Sequence, residues 1–291
     1  MQERGPLLLP KSFGTKLSDA FDAFGQLCVG IDPHAALLDL WGLDDDAQAL
    51  DYFANTVVDA CAGRVGIIKP QVSFFERHGS KGFAVLEKIT HRAAEANLLV
   101  IADAKRGDIG TTMVAYLDAW LGRGSSFYAD SLTVSPYLGL GATVEHLQPY
   151  LERGRGVIAL VATSNPEGAT VQLSKSDGET ISAQIWNQIH MANQVTAGPG
   201  DKFGPIGAVI GATLNFKRFG LDLDQSGVKT PILAPGFGAQ GVDLRDAGVL
   251  FGSAAAQTIA SVSRSVLQAG SSALASAIDR ANDELRSGLD R

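Results

Sequence analysis

Short apolar runs recur along the chain, with helical stretches between them. Leu27–Asp32, Val65–Gln71, Leu98–Lys105, Ser131–Ser135, Val157–Thr163, Gly207–Thr213 and Pro231–Ala234 are rich in Val, Ile, Leu and Ala. Near-continuous runs of this length predict strands buried on both faces, as in a parallel sheet. An eighth strand is expected within Val249–Arg264, where the pattern leaves its bounds open. Between the runs, the apolar spacing changes to the helical period. In Ala47–Ala62, Leu50, Phe53, Ala54, Val57 and Val58 fall on one face. Thr111–Leu121 predicts another helix, with its leading threonines as candidate caps.

Alternation of strand and helix, repeated about eight times, predicts an α/β fold with a parallel sheet. A chain of 291 residues suits a (β/α)8 TIM barrel, which typically takes about 250 residues. An open doubly wound sheet is the competing arrangement. No linker divides the chain, so residues 1–291 are read as a single barrel domain, with 1–12 as an N-terminal tail. Two polar, glycine-containing segments, Asn165–Asp177 and Ala197–Gly204, are expected to close over a ligand.

Composition narrows the partners. Hydrophobic residues make up 45% and charged residues 19%, enough for a sizeable core. A net charge of −7 argues against a nucleic-acid partner, although a small anion can still bind in a locally positive pocket. Leu7-Leu8-Leu9 is bracketed by Pro6 and Pro10 and is too short for a secretory apolar region. No run approaches the roughly 18 apolar residues of a membrane span, so a cytoplasmic protein without a membrane partner is expected. Cys28 and Cys61 lie in apolar surroundings and read as buried thiols. They have no metal-ligand spacing, and the five histidines form no His-x-x-x-His pair, so no metal site is expected.

Charge gathers where a barrel would use it. Asp103-Ala104-Lys105-Arg106-Gly107-Asp108-Ile109-Gly110 ends an apolar strand. Strand side chains repeat every two residues, so Asp103 and Lys105 share a face. Charges placed there are costly unless paired or put to use. Barrel chemistry sits at the C-terminal strand ends. Asp32, Lys69, Thr163-Ser164-Asn165 and Ser263-Arg264 all fall at such ends. Each alone reads as a turn or a solvated residue; it is the recurrence at one end that points to a site. Gly236-x-Gly238-x-x-Gly241 matches the dinucleotide fingerprint, which needs an acidic residue about 20 positions on. None stands between Ala247 and Ile278. After a seventh strand, such a loop suits a phosphate, held by glycine amides with Gln240 and Arg264.

The octapeptide at 103–110 resembles the signature of the orotidine 5′-phosphate decarboxylase family. Val29-Gly30-Ile31-Asp32-Pro33, Ile68-Lys69-Pro70-Gln71, Thr163-Ser164-Asn165-Pro166, Pro235-Gly236-Phe237-Gly238-Ala239-Gln240-Gly241 and Ser263-Arg264 agree with it in order. Lys69-Pro70-Gln71-Val72-Ser73-Phe74-Phe75-Glu76 and the chain length resemble the longer bacterial, type 2, subgroup. The resemblance implies decarboxylation of orotidine 5′-monophosphate to uridine 5′-monophosphate, the last step of de novo pyrimidine synthesis. It implies no metal, no organic cofactor and a homodimer with shared active sites. Carried over, Lys105 is the proton donor to C6, Asp103 lies against the departing carboxylate, and Asp108 comes from the partner subunit. Lys69 completes the charged array and reaches the ribose. Asp32 and Thr112 hold ribose hydroxyls, and Ile109 joins the binding set. Ser164 meets the pyrimidine, and Gln240 and Arg264 hold the phosphate. The rival is a Mg²⁺-dependent sugar-phosphate decarboxylase or synthase of the same superfamily, which also carries Asp-x-Lys-x-x-Asp. Such enzymes are expected to place a Glu where this chain has Lys69.

Overall fold

Eight parallel strands close into a ring in the computed structural model, which describes residues 10–290. They are β1 (Leu27–Ile31), β2 (Ile67–Pro70), β3 (Leu99–Arg106), β4 (Ser131–Val134), β5 (Gly156–Ala162), β6 (Ile206–Ile210), β7 (Ile232–Pro235) and β8 (Thr258–Val262). Closure comes from β8 pairing back onto β1 through Leu27↔Ala260, Cys28↔Ser261 and Val29↔Val262. That pairing rules out the open sheet. The strand left without bounds is Thr258–Val262.

The main helices are α1 (Phe13–Phe24), α2 (Ala47–Cys61), α3 (Gly79–Glu95), α4 (Gly110–Leu121), α5 (Ile181–Thr196) and α6 (Gly270–Leu289). The predicted stripe Leu50, Phe53, Ala54, Val57 and Val58 is buried on α2. Thr111 and Thr112 do not cap α4. The helix starts at Gly110, whose φ of +53° suits glycine, and Ile109 occupies the cap position with no side-chain bond.

Apolar residues fill the barrel in two places. One core lies between the strands and the surrounding helices. The other lies inside the lower barrel, where Cys28, Ile67, Ile101, Ile158, Val209, Leu233 and Ile259 meet. Phe13 and Leu17 of α1 close this inner core from below, together with Phe203. Burial pushes the Cys28 thiol up to about 12, and it raises the Cys61 thiol as well. Both thiols are inert at neutral pH.

The two expected lids lie at opposite ends. Asn165–Asp177 follows β5 and stands at the C-terminal mouth. It folds into short turns, Pro166–Gly168 and Ala169–Gln172, and a small hairpin, Lys175–Ser176 with Glu179–Thr180, that no pattern predicted. Ala197–Gly204 precedes β6 and belongs to the bottom, so it is not a lid. Asp201 accepts hydrogen bonds there from Ser12 and Thr15, and Phe203 plugs the inner core. Leu7–Leu9 lies outside the described residues, whereas Ser12 caps α1 by accepting from the Thr15 amide at 3.0 Å. No helix among the described residues is long and apolar enough to cross a membrane.

Candidate active site

Two-residue periodicity builds the site. Stepping up each strand from the apolar layer, Ile67 leads to Lys69, Ile101 to Asp103 and Ile259 to Ser261. The charged groups therefore stand on an apolar floor and face one cavity of about 340 Å³. Leu160, Val209 and Leu233 contribute its apolar wall. Gly30 keeps the space beside Asp32 open, since a Cβ there would lie 2.9 Å from Ser263 Cβ. Asp103 is not strictly terminal, since β3 runs on to Arg106, whereas Lys69 is one residue from the end of β2.

Asp103 is the hub. Its Oδ2 accepts from Lys69 Nζ at 2.9 Å and its Oδ1 from Lys105 Nζ at 2.6 Å. Asp103 and Lys69 are both buried, and the Lys105 side chain is 45% exposed to the cavity. Burial works to raise the Asp103 pKa, but Lys69 and then Lys105 outweigh it and hold the carboxyl well below the usual range. Burial likewise opposes the Lys69 charge, but Asp103, with Asp32 and Cys28, lifts its pKa above that of an ordinary lysine. Asp103 and Lys69 are thus both ionised at neutral pH. Asp32 Oδ1 is buried without a partner beside this array, an acceptor left over for a ligand hydroxyl.

The opposite wall carries the glycine-turn loop after β7. Gly236, Gly238 and Gly241 have φ of +119°, +71° and +98°, a conformation side chains disfavour, so the loop needs its glycines. Two of its amides are already engaged: Gly238 donates to Val242 and Gly241 to Gly238. The expectation of glycine amides cradling an anion is reduced to that extent, and weight passes to Gln240 and Arg264, which line the cavity. Arg264 stands two residues past the end of β8, after Ser263. Ser164 and Gln240 meet, with Ser164 Oγ donating to Gln240 Oε1 at 3.2 Å.

Lys105, Asp103, Lys69, Asp32, Ser164, Gln240 and Arg264 therefore converge. Asp108, Ile109 and Thr112 are not among the residues lining their own cavity. Asp108 is half-buried above β3, where its Oδ1 accepts from the Ile109 amide at 2.8 Å, and Ile109 is exposed. Several contributors escaped the sequence reading. Gln71 Nε2 donates to the Asp103 carbonyl at 3.2 Å, tying β2 to the array. Thr133 Oγ1 lies 3.0 Å from Asp103 Oδ1. Gln71 was next to Lys69 in a motif already in view; Thr133 gave no local signal. Among the described residues, no three His, Cys, Asp or Glu side chains gather closely enough to hold a metal ion.

A closed parallel barrel with a charged array on an apolar floor, facing a glycine-turn loop and an arginine, defines a barrel enzyme acting on a phosphorylated small molecule. Comparison with known proteins is specific. The model of the Orotidine 5′-phosphate decarboxylase / HUMPS family matches residues 25–277. An orotidine 5′-phosphate decarboxylase of Salinispora arenicola is 46% identical over 281 residues, covering 96% of this chain and 99% of the relative. That of Streptomyces coelicolor is 45% identical over 280 residues, covering 95% and 98%. A crystal structure from Streptomyces avermitilis described as this decarboxylase superposes with a TM-score of 0.90 at 45% identity, covering 100% of both chains. The chain belongs to the orotidine 5′-phosphate decarboxylase family. Near-equal length with these bacterial relatives agrees with the longer subgroup.

Proposed function

We propose that this chain converts orotidine 5′-monophosphate to uridine 5′-monophosphate and CO₂, closing de novo pyrimidine synthesis. One observation carries the reading of the site: Asp103 holds Lys69 and Lys105 at 2.9 and 2.6 Å above an apolar floor. In the reaction, the bond between C6 and the carboxyl carbon breaks, its electron pair stays on C6, and CO₂ leaves. The carbanion has little delocalisation, so a cation fixed in advance must stabilise it. Lys105 supplies that cation and then gives its proton to C6, after which solvent reprotonates it. Asp103 holds the Lys105 head in place and lies beside the departing carboxylate. Lys69 offsets the Asp103 charge and reaches the ribose, whose hydroxyls also meet Asp32. Ser164 meets the pyrimidine, and Gln240 and Arg264 hold the phosphate. No metal or organic cofactor takes part.

The active unit in this proposal is a homodimer in the cytoplasm, in which Asp108, with Ile109 and Thr112, completes the neighbour's site. Asp108 sits outside its own cavity, and Ile109, Tyr137 and Leu138 are 59%, 78% and 54% exposed. The Ser135 amide, two residues before Tyr137, donates to the Arg106 carbonyl at 2.7 Å, which ties together the ends of β3 and β4 from which these exposed residues follow. Following the fall in orotidylate absorbance tests the reading. Turnover that survives EDTA is the expected result; no turnover overturns the proposal, and turnover abolished by EDTA favours the Mg²⁺-dependent rival.

A further inference from the structure

Lys105 presents its head from a disfavoured stretch of backbone. Its φ is +50°, in the left-handed region. The other described non-glycine residues with positive φ are Asn97 and Asp177, types that tolerate that region and stand in turns. Lys105 alone lies within a strand. The cause is a slip in the ladder between β3 and β4, where Ala102 pairs with Leu132 and Arg106 with Val134. Asp103, Ala104 and Lys105 therefore stand against the single residue Thr133, and the bulge leaves the Lys105 amide to a side chain.

Thr133 takes that role. Fully buried, it accepts from the Lys105 amide at 2.9 Å through Oγ1. The same hydroxyl reaches Asp103 Oδ1 at 3.0 Å and the Ala102 carbonyl at 3.5 Å. Its one hydrogen goes to the nearer, charged acceptor. A closed circuit results. The Lys105 amide donates to Thr133, Thr133 donates to Asp103, and Asp103 accepts from Lys105 Nζ. One hydroxyl thus grips both ends of Lys105.

We propose that Thr133 is a positioning residue for proton delivery, holding the bulge that aims Lys105 and orienting the Asp103 carboxylate. This rests on the decarboxylase reading above. Thr133→Val replaces the hydroxyl by a methyl group of similar size. It is expected to lower kcat by about 10- to 100-fold, while the Kd for uridine 5′-monophosphate stays within about threefold. Thr133→Ser, which keeps the hydroxyl, is expected to retain most of kcat. A loss of packing alone would not produce that rescue. Should Thr133→Val fail to fold, Thr133→Ala compared with Thr133→Ser decides: loss in Ala with retention in Ser supports the role, and equal kcat in the two overturns it. A Thr133→Val enzyme with kcat within about twofold of wild type also overturns it. Lys105→Ala is the control. If that variant keeps turnover, it is the functional reading that fails, not the role of Thr133.

Discussion

Ser164 Oγ donates to Gln240 Oε1 at 3.2 Å, joining loops that are 76 residues apart in the chain. One loop follows β5 and the other follows β7, and they close one side of the cavity. In the proposed reaction Ser164 faces the base and Gln240 the phosphate, so this contact links the reacting ring to the remote anion. Binding energy from the phosphate can then serve to order the loop over the ring. Ser164→Ala and Gln240→Ala are therefore expected to be non-additive in kcat/KM. The double variant should depart from the sum of the singles by roughly 0.5–3 kcal/mol. Strict additivity would show that the two side chains act independently.

Loop closure has a separate readout. Gln172 accepts from the Thr163 amide at 3.0 Å and donates to Thr163 Oγ1 at 2.7 Å, which anchors the base of the segment 165–177. Its outer part is exposed. Amide hydrogen exchange in this segment is expected to slow when uridine 5′-monophosphate or a tight analogue is added. Ala197–Gly204, on the far side of the barrel, is expected not to respond. Unchanged exchange in both segments would refute closure by the β5 loop.

Much of the fold was legible because strands buried on both faces are nearly unbroken apolar runs. Lys69, Asp103 and Lys105 stood out in those runs because buried charge needs a reason. The barrel end of Ala197–Gly204 was misread because its glycines, and not its place in the order of elements, served as the signal. Ala197–Gly204 follows a helix and precedes a strand, which places it at the bottom however glycine-rich it is. The two threonines at 111–112 read as caps because capping is a local preference, and the helix started one residue earlier through Gly110. Thr133 was not legible. Threonine is ordinary in a strand, and its contacts come from a slip in register that depends on two strands together.

Asp103 should also govern stability. Replacing it by Asn leaves Lys69 buried without its counter-charge, next to Lys105. Removing one member of a buried pair costs about 3–5 kcal/mol, so Asp103→Asn is expected to unfold at lower temperature at pH 7. The sign of the pH dependence follows from the lowered pKa. A carboxyl held below its unfolded value contributes fully above that value, about 3.9, and loses its contribution as pH falls through the folded pKa. Lys69, raised, contributes below the unfolded lysine value and loses its contribution only as pH rises through its folded pKa. At neutral pH both contributions are complete. The difference in Tm between wild type and Asp103→Asn is thus expected to shrink as pH drops below about 4. An Asn variant as stable as wild type at pH 7 would show that the array contributes nothing to the fold.

Sharing of sites between subunits is tested by mixing two inactive proteins. The Lys105→Ala subunit keeps Asp108, and the Asp108→Ala subunit keeps Lys105. If Asp108 serves its own subunit, every site in a mixed dimer is broken. If it serves the neighbour, one site of each mixed dimer carries both substitutions and the other carries neither. Free exchange of equal amounts makes half of the dimers mixed, so activity should return to about a quarter of the wild-type value for a two-fold symmetric pair. Native mass spectrometry would verify that exchange has occurred. Mixed dimers with no recovered activity would assign Asp108 to its own subunit, where it stands outside the cavity, and would leave the exposed Ile109, Tyr137 and Leu138 without a catalytic role.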